Sequence, residues 1–241
     1  MNSRRFFISH PLQLNQELAL EAAVSRHISL SLRIGIGDTI TLFNGSGGEY
    51  SARITGVTKN CVTVVIGNYC DQNRETALAV HLAIVMTRGD RMDYAIQKAT
   101  ELGVTRITPL YSERCEVKLA HDRVQKKLTH WQHVVTSACE QCGRNIAPAV
   151  ESPVALNQHL AEASADLQLI LDPAGASLPV SIPAPASISL LTGPEGGFSS
   201  TEVALAEHHG YLAVKLGPRI FRAETAPVVG LGILQSIWGD L

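Results

Sequence analysis

The stretch LLTGPEGGFSSTE (190–202) joins an apolar run to a rigid corner and then to the start of a helix. Proline restricts the backbone at the corner, the glycines after it let a ligand approach the main chain, and Ser199 with Glu202 forms a capping-box pattern. A second stretch, LGPRIFRAETAP (216–227), repeats the Gly-Pro corner after another apolar run and adds two Arg and a Glu. In open α/β sheets, ligands bind beyond the carboxyl ends of the strands. The two stretches therefore predict two ligand-binding turns at one edge of such a sheet.

The second part of the chain alternates between strand and helix patterns. Its apolar runs predict strands at 78–86, 104–111, 167–172, 187–192 and 211–217, and its amphipathic or capped segments predict helices at 90–102, 121–142, 200–209 and 223–238. Near-continuous apolar strands are typical of parallel strands that are covered on both faces. We therefore expect an α/β domain with a parallel sheet over residues 78–241.

The first 70 residues have a different pattern, dominated by short strands. The segment 38–54 places apolar runs on either side of NGSGGE, which predicts a hairpin, and CVTVVIG (61–67) is a β-branched strand. An apolar set between Leu14 and Leu32 predicts one helix, which Arg33, Ile34 and Gly35 end. These elements favour a small β-barrel-like domain over 1–70, followed by a polar linker at 71–77.

Composition restricts the class of protein. The 241 residues are 45% hydrophobic and 17% charged, as in globular proteins. No run approaches the roughly 20 apolar residues that cross a bilayer, and the N-terminus lacks the apolar core of a signal peptide. We therefore expect a cytoplasmic protein without a membrane partner, whose five cysteines are free thiols.

Positive charge is unevenly distributed along the chain. The net charge is −2, so any nucleic-acid contact must use a local basic patch. From Pro153 onward the basic residues are only Lys215, Arg219 and Arg222, two of them inside the second Gly-Pro stretch. The basic residues considered for the patch lie before residue 150, and they are Arg4, Arg5, Arg88, Arg91, Arg114, Lys118, Arg123, Lys126, Lys127 and Arg144.

Metal and polyphosphate sites are disfavoured. The ligand types in His130, His133, Cys139 and Cys142 suit zinc, but they fall on one predicted helix, where residues nine apart are separated by about 13 Å. We therefore expect no metal site. Neither Gly-Pro turn carries the Lys and Ser or Thr of a phosphate loop, and Glu195 would repel a pyrophosphate.

The two Gly-Pro stretches closely resemble the signature loops of the SPOUT methyltransferase superfamily, in the branch that methylates N3 of uridine in 16S ribosomal RNA. The segments that are similar to other blocks of that family occur in the same order along most of the chain: RRFFIS (4–9), LFNGSGGEYSARI (42–54), DRMDYAIQKATELGVTRITPL (90–110) and ACEQCGRNIAPAV (138–150). Three positions depart from the family pattern, where Phe221, Ala223 and Cys142 stand in place of Leu, Thr and Ser. Ala223 removes a hydroxyl beside the expected site.

The resemblance implies an N-terminal PUA-like RNA-binding domain and a C-terminal trefoil-knotted domain that binds S-adenosylmethionine. It also implies a homodimer and a 16S ribosomal RNA substrate, within a small-subunit particle, with uridine 1498 as the target. The apolar C-terminal segment 226–241 agrees with a dimer, because it needs a larger partner surface than one sheet face. Two alternatives remain open: a SPOUT enzyme that acts on another RNA or on a ribose 2′-hydroxyl, and a non-catalytic RNA-binding protein.

The resemblance and the loop chemistry together imply the site residues. Proton loss from N3 requires an acceptor, for which Glu224 and Glu195 are alternatives, and Arg222 is expected to stabilise the negative charge. RNA contacts are expected at Arg4, Arg5, Arg88, Arg91, Arg114 and Arg144. The residues expected to bind the cofactor are Leu171, Leu191, Thr192, Gly193, Pro194, Gly196, Gly197, Leu216, Gly217, Ile220, Arg222 and Thr225.

Overall fold

The computed structural model describes residues 4–32, 34–58 and 60–241. The chain divides into two compact units. The first contains the residues up to Glu75 together with Cys139–Ala147, and the second contains Thr76–Ala138 and Pro148–Leu241. The first boundary falls within the segment 71–77 that the sequence predicts as a linker. The sequence predicts Cys139–Ala147 to belong to the domain 78–241, whereas the structure places this segment in the first unit.

The first unit is built on a five-stranded sheet in the order β1-β3-β4-β5-β2. Its strands are β1 (Arg5–Phe7), β2 (Glu17–Ala19), β3 (Thr39–Phe43), β4 (Glu49–Val57) and β5 (Val62–Cys70). The predicted hairpin is confirmed as the antiparallel pair β3 and β4, and the predicted strand at 61–67 is confirmed as β5. Alternate residues of these strands, such as Ile40, Leu42, Val64 and Ile66, are fully buried in one apolar core. This is the expected β-barrel-like domain.

The single helix predicted between Leu14 and Leu32 is wrong in its first part. Strand β2 lies there and pairs antiparallel with β5, so that Leu18 is opposite Val64. The helix begins later, as α1 (Ala22–Arg26), and continues as a π-helical segment, His27–Leu32. Pairing with the sheet supplies the backbone partners that a helix would otherwise provide, and it outweighs the local apolar spacing. Arg33, part of the predicted helix end, lies outside the described residues.

The second unit contains a parallel sheet in the order β12-β10-β11-β6-β7-β8, with β9 paired to β7. Its strands are β6 (Ala79–Val85), β7 (Arg106–Tyr111), β8 (Ala149–Val150), β9 (Val154–Ala155), β10 (Leu167–Ser177), β11 (Ser187–Thr192) and β12 (Leu212–Lys215). All of the pairings are parallel, which confirms the predicted α/β class. The predicted strands at 78–86, 104–111, 167–172, 187–192 and 211–217 are each found.

Helices surround this sheet. They are α2 (Asp90–Glu101), α3 (His121–Cys142), α4 (Leu156–Glu162), α5 (Ser200–His208) and α6 (Thr225–Trp238). Four were predicted, and only the short α4 was not. The central strands are buried on both faces: Leu191 packs in a cluster with residues of α4 and α5, and Leu190 faces Gly230 of α6. This burial explains why β11 is mainly apolar, and its buried Ser189 is hydrogen-bonded to the Tyr211 hydroxyl.

Helix α3 contains the four His and Cys residues that the sequence offered as possible zinc ligands. Residues His121–Cys142 form one uninterrupted helix, as predicted, so His130 and Cys139 are held apart along its axis. Within residues 4–32, 34–58 and 60–241, no group of three or more His, Cys, Asp or Glu is arranged to hold a metal ion. None of the helices in this described part of the chain has the length and apolar character needed to cross a membrane.

His81, a partly buried residue of β6, packs against His159, a buried residue of α4. The rings of His81 and His159 meet edge to face, with centroids 5.3 Å apart. His81 Nε2 lies 2.7 Å from Thr108 Oγ1, and His159 Nε2 lies 3.2 Å from the Tyr211 hydroxyl. Burial, with the charge of Arg106, lowers the pKa of His81 to about 3, and the pKa of His159 is lowered for the same reasons. The fold therefore holds both rings neutral near pH 7.

Candidate functional site

A cleft lies at the carboxyl ends of three adjacent strands, β10, β11 and β12. Both Gly-Pro turns contribute to it, together with the start of α6. The residues that line it are Leu171, Asp172, Pro173, Gly193, Pro194, Glu195, Gly197, Val214, Lys215, Leu216, Gly217, Arg219, Ile220, Phe221, Ala223 and Ala226. The two stretches singled out in the sequence thus meet at one place, at the sheet edge where α/β proteins bind ligands.

The turn after β11 forms one wall of the cleft. The backbone N–H of Gly197 donates to the carbonyl of Pro194 over 2.9 Å and closes the turn. Gly197 has φ +65°, and a Cβ built there would have no atom within 4 Å, so the glycine leaves open space on the cleft side. Ser199 then caps α5 in a complete capping box with Glu202, as the sequence predicts. The turn is thereby fixed at its end by the helix start.

Two arginines hold the same turn from outside the cleft. Arg91 Nη1, in the first turn of α2, donates to Glu195 Oε1 over 2.8 Å. Arg114 lies in the loop that follows β7. Its Nη1 donates to the carbonyl oxygen of Gly196 over 2.8 Å and to the carbonyl oxygen of Phe198 over 3.4 Å. Both arginines were expected to contact RNA. The structure gives each of them a contact that orders the turn.

The turn after β12 forms the opposite wall. Gly217 has φ +118°, which favours glycine, and Ile220 is 84% exposed although it is large and apolar. Phe221 and Ala223 line the cleft, whereas the alternating residues Arg222 and Glu224 do not. The backbone carbonyl oxygen of Arg222 accepts hydrogen bonds from the N–H groups of Thr225 and Ala226, the first two residues of α6, over 2.9 and 3.0 Å. Within the described part of the chain, the side chains of Arg222 and Glu224 make no hydrogen bond or ion pair.

An irregular part of β10, of which only Leu171 was predicted to belong to the site, completes the cleft. Leu171 was expected there, but Asp172 and Pro173 line it as well. Asp172 Oδ1 accepts from the N–H of Ala174 over 2.8 Å. The sequence signal was available, because LDPAG (171–175) also places a proline and a charge at a strand end. The strand pattern obscured it, since β10 resumes its pairing with β12 beyond a bulge and runs on to Ser177.

The structure places five of the expected cofactor residues outside the lining of the cleft, and Arg222 is one of them. Leu191 packs in the buried core of the sheet, and Thr225 is the first residue of α6. A Cβ at Gly196 would meet Arg114 rather than the cleft. Thr192 is fully buried at the end of β11, and its hydroxyl has no hydrogen-bond partner among the described residues. The expected Leu171, Gly193, Pro194, Gly197, Leu216, Gly217 and Ile220 do line it.

The arginines expected to contact RNA fall into distinct environments. Arg4 and Arg88 have side chains that are 54% and 68% exposed, with Asp38 and Glu116 at 3.8 and 3.2 Å. Arg91 is about half exposed while it is paired with Glu195. These groups remain accessible to a phosphate.

Arg5 and Arg144 are different, because both are largely enclosed in the first unit. Arg5 pairs with Glu49 and donates to Asn145 Oδ1 over 2.8 Å. Arg144 donates to Glu75 through Nη2 and Nε, over 2.5 and 2.9 Å. These bonds tie Cys139–Ala147 to the rest of the unit, and they engage the guanidinium groups that the sequence analysis assigned to RNA.

Comparison with known proteins agrees with this architecture. Residues 74–235 match the model of an RNA methyltransferase domain, and residues 20–67 match that of an RNA methyltransferase PUA domain. The chain is 32% identical over 239 residues to ribosomal RNA small subunit methyltransferase E of Buchnera aphidicola subsp. Schizaphis graminum. The aligned region covers 98% of this chain and 97% of the Buchnera protein.

Two solved structures are similar over nearly the full length. One is a methyltransferase from Legionella pneumophila in complex with bound SAM, with 41% identity, TM-score 0.95 and complete coverage of both chains. The other is the ribosomal RNA small subunit methyltransferase E from Neisseria gonorrhoeae bound to S-adenosyl methionine, with 37% identity, TM-score 0.92 and 98% coverage of each chain. The chain therefore belongs to the ribosomal RNA small subunit methyltransferase E family, with the PUA and RNA methyltransferase domains that the resemblance implied.

Proposed function

We propose that this protein transfers the methyl group of S-adenosylmethionine to N3 of a uridine in 16S ribosomal RNA. Family membership supports ribosomal RNA methylation, and two similar structures hold the same cofactor. The observation that carries the proposal is the cleft itself. The turns after β11 and β12 meet the irregular part of β10 there, and the loop that carries Arg222 and Glu224 forms one of its walls.

The cleft residues fit S-adenosylmethionine. Leu171, Leu216 and Ile220 supply apolar surface for the adenine, and the backbone of the turn after β11 supplies donors and acceptors. The open space beside Gly197 leaves room that a side chain would fill. Asp172, with one carboxylate oxygen not used by Ala174, suits the ribose hydroxyls. When bound, the cofactor supplies an electrophilic methyl group.

Uracil N3 is a poor nucleophile, and we assign its activation to charged residues of this chain. N3 carries a proton that must leave, and the negative charge then spreads onto O2 and O4. We assign proton acceptance to Glu224, because its carboxylate is unpaired within the described residues, whereas Glu195 Oε1 is occupied by Arg91. Arg222, exposed and two residues away, stabilises the charge on the carbonyl oxygens.

Binding of the RNA is assigned to exposed groups on each unit. On the first unit, an open depression on the sheet is lined by Arg53, Ile36 and Thr55 among others, and Ile36 is 69% exposed. A cationic side chain beside an exposed apolar one suits a phosphate and an unstacked base. Arg4 and Arg88 add accessible charge. The 16S ribosomal RNA, within a small-subunit particle, remains the proposed partner, and its location makes the protein cytoplasmic.

A homodimer is part of the same proposal. Helix α6 buries Pro227, Leu231 and Leu234 against its own unit, while Ile233 is half-buried and Ile237 is 36% exposed. A Cβ at Gly232 would meet no atom within 4 Å, so this face of the helix is open to a second copy. An apolar face of this kind is typical of a subunit interface. The trefoil knot implied by the family resemblance also belongs to the proposal.

Single-turnover methylation of 16S ribosomal RNA at saturating S-adenosylmethionine tests the assignment of Arg222. Arg222→Ala should lower the rate by about 10²–10³ because a donor aimed at developing negative charge is lost. Arg222→Lys should recover only part of the rate, since lysine keeps the charge but not the planar fork. Cofactor affinity, measured by calorimetry, should stay close to that of the parent. Normal turnover by Arg222→Ala, or equal losses of cofactor affinity and stability, would make the residue structural.

A further inference from the structure

A second pocket in the methyltransferase unit lies apart from the residues of the cofactor cleft. It has a volume of about 260 Å³ and is lined by Thr87, Met92, Val117, Leu119, Lys127 and Trp131, among others. Drug-sized ligands occupy pockets of roughly 300–1,000 Å³, so this one suits a smaller group such as a single nucleobase. Its walls combine apolar side chains with a few polar groups, which is the usual composition of a ligand site.

Two of the lining residues carry buried polar atoms that are unsatisfied. Thr87 is 5% exposed and Trp131 is 2% exposed. Neither Thr87 Oγ1 nor Trp131 Nε1 has a hydrogen-bond partner within the described residues. Leaving a buried donor unpaired costs about 1–3 kcal/mol, so two such residues in the lining of one pocket favour a polar ligand there. The indole N–H can only donate, whereas the hydroxyl can donate or accept. A ligand that carries both a carbonyl oxygen and an N–H group has the matching chemistry.

Charge around the pocket matches a nucleotide. The Lys127 ammonium lies 5.8 Å from the centre of the Trp131 ring, and Arg88 also lines the pocket. A neighbouring depression shares Arg88 and Gly89 with the pocket and extends to Glu195, on the turn that walls the cofactor cleft, and its other lining residues are Asp90, Arg91 and Glu116. An RNA strand that follows this depression to the cleft would pass the pocket, where Arg88 and Lys127 are the cations placed for its phosphates.

We propose that this pocket binds one unstacked keto base, uracil or guanine, that flanks the methylated uridine in the RNA substrate. The inference rests on the proposed function for the identity of the polymer. The carbonyl of the base accepts from Trp131 Nε1–H, its ring N–H donates to Thr87 Oγ1, and its faces contact Met92, Val117 and Leu119. Recognition of a splayed-out base on its Watson–Crick edge is the usual way in which proteins read single-stranded RNA.

The experiment measures equilibrium binding of a five-nucleotide oligouridylate and of the same oligomer with abasic sites. The parent protein should bind the oligouridylate more tightly. Val117→Phe, which fills the pocket from a half-buried loop position, should lower affinity for the oligouridylate at least about fivefold. Thr87→Val, which removes only the hydroxyl, should have a similar effect, and both variants should bind the abasic oligomer as the parent does. Val180→Phe adds the same bulk at an exposed site outside the pocket and should change nothing.

Equal binding of the two oligomers by the parent, or unchanged binding by both Val117→Phe and Thr87→Val, would overturn the proposal. Calorimetry with S-adenosylmethionine on the same variants shows that they are folded, because the cofactor cleft does not include either residue. A protein that binds uracil in this pocket but transfers no methyl group would contradict the proposed function alone. Transfer to uridine N3 without any contribution of the pocket would contradict the inference alone.

Discussion

Arg91 Nη1 donates to Glu195 Oε1 over 2.8 Å and so connects the first turn of α2 to the turn that walls the cofactor cleft. The partners are 104 residues apart in the sequence, and each side chain is partly exposed. The contact gives Glu195 a structural role. It also makes α2 part of the support of this cleft.

A double-mutant cycle on cofactor binding tests this connection. Arg91→Met and Glu195→Gln should each weaken S-adenosylmethionine binding, because the turn is less well ordered without the pair. The double variant should lose less than the sum, with a coupling energy of about 0.2–1 kcal/mol, as for other partly exposed ion pairs. Calorimetric titration of the four proteins supplies the values. Strict additivity would show that the pair does not order the turn.

Gly197→Ala should abolish or strongly weaken cofactor binding. The residue has φ +65° and faces open space at the cleft, so alanine adds both a left-handed backbone cost of about 1–2 kcal/mol and a methyl group where the ligand lies. Gly210→Ala is the matched control, because Gly210 has φ +87° but does not line the cleft. Both variants should lose similar thermal stability. If both also keep normal S-adenosylmethionine affinity, the turn does not contact the cofactor.

Arg4 and Arg5 form a matched pair of neighbours in opposite environments. Arg4→Ala should leave stability nearly unchanged and reduce the salt dependence of RNA binding by about one phosphate contact. Arg5→Ala should instead lower the free energy of unfolding by roughly 3 kcal/mol, because Glu49 and the carbonyls around Arg144 lose an enclosed partner. Urea denaturation and binding at several salt concentrations separate the two effects. An Arg4→Ala protein with the parental slope would remove Arg4 from the interface.

The free energy of unfolding should fall when the pH drops below about 6.5, the pKa of an unperturbed histidine side chain. The pKa of His81 is lowered to about 3 by burial and by Arg106, and that of His159 is also lowered, in spite of Glu151 and Glu162. Between about pH 6.5 and pH 3 the unfolded chain therefore binds protons that the folded chain does not, so acid favours unfolding. The expected loss is at most about 1.4 kcal/mol per pH unit for each histidine.

Urea denaturation at pH 7.0 and pH 5.5 checks this dependence. His81→Gln should flatten the change of unfolding free energy with pH, whatever its effect on stability at pH 7. His208→Gln, at an exposed position, should leave the change as in the parent. The same pH dependence in parent and His81→Gln would show that this ring is not the origin of the effect.

The sheet of the second unit could be predicted from local pattern because its strands are buried on both faces. Ser187–Thr192 is found at the predicted residues, since a covered parallel strand is apolar throughout and a Pro-rich loop and a Gly-Pro turn delimit it. The helix His121–Cys142 was equally predictable from its apolar spacing. In contrast, β2 has only three residues, and it depends on pairing with β5 far along the chain.

The site divides along the same line. Gly197, Gly217 and Ile220 line the cleft, and they could be predicted to meet there because their turns have local sequence patterns. The enclosure of Arg5 was not predictable, since its partner Asn145 lies 140 residues away and nothing beside Arg5 distinguishes it from Arg4. The pairing of Arg91 with Glu195 has the same origin. Charged residues identified from composition alone therefore included both accessible groups and structural ones.

The identity of the methylated atom tests the central claim most directly. Mass spectrometry of nucleosides and fragments of 16S ribosomal RNA should be compared between a strain that lacks this gene and the same strain complemented with it. One 3-methyluridine should be absent without the gene and should return with the parent protein, but not with Glu224→Gln. A missing ribose 2′-methyl group, a missing methyl group in transfer RNA, or an unchanged 16S ribosomal RNA would contradict it.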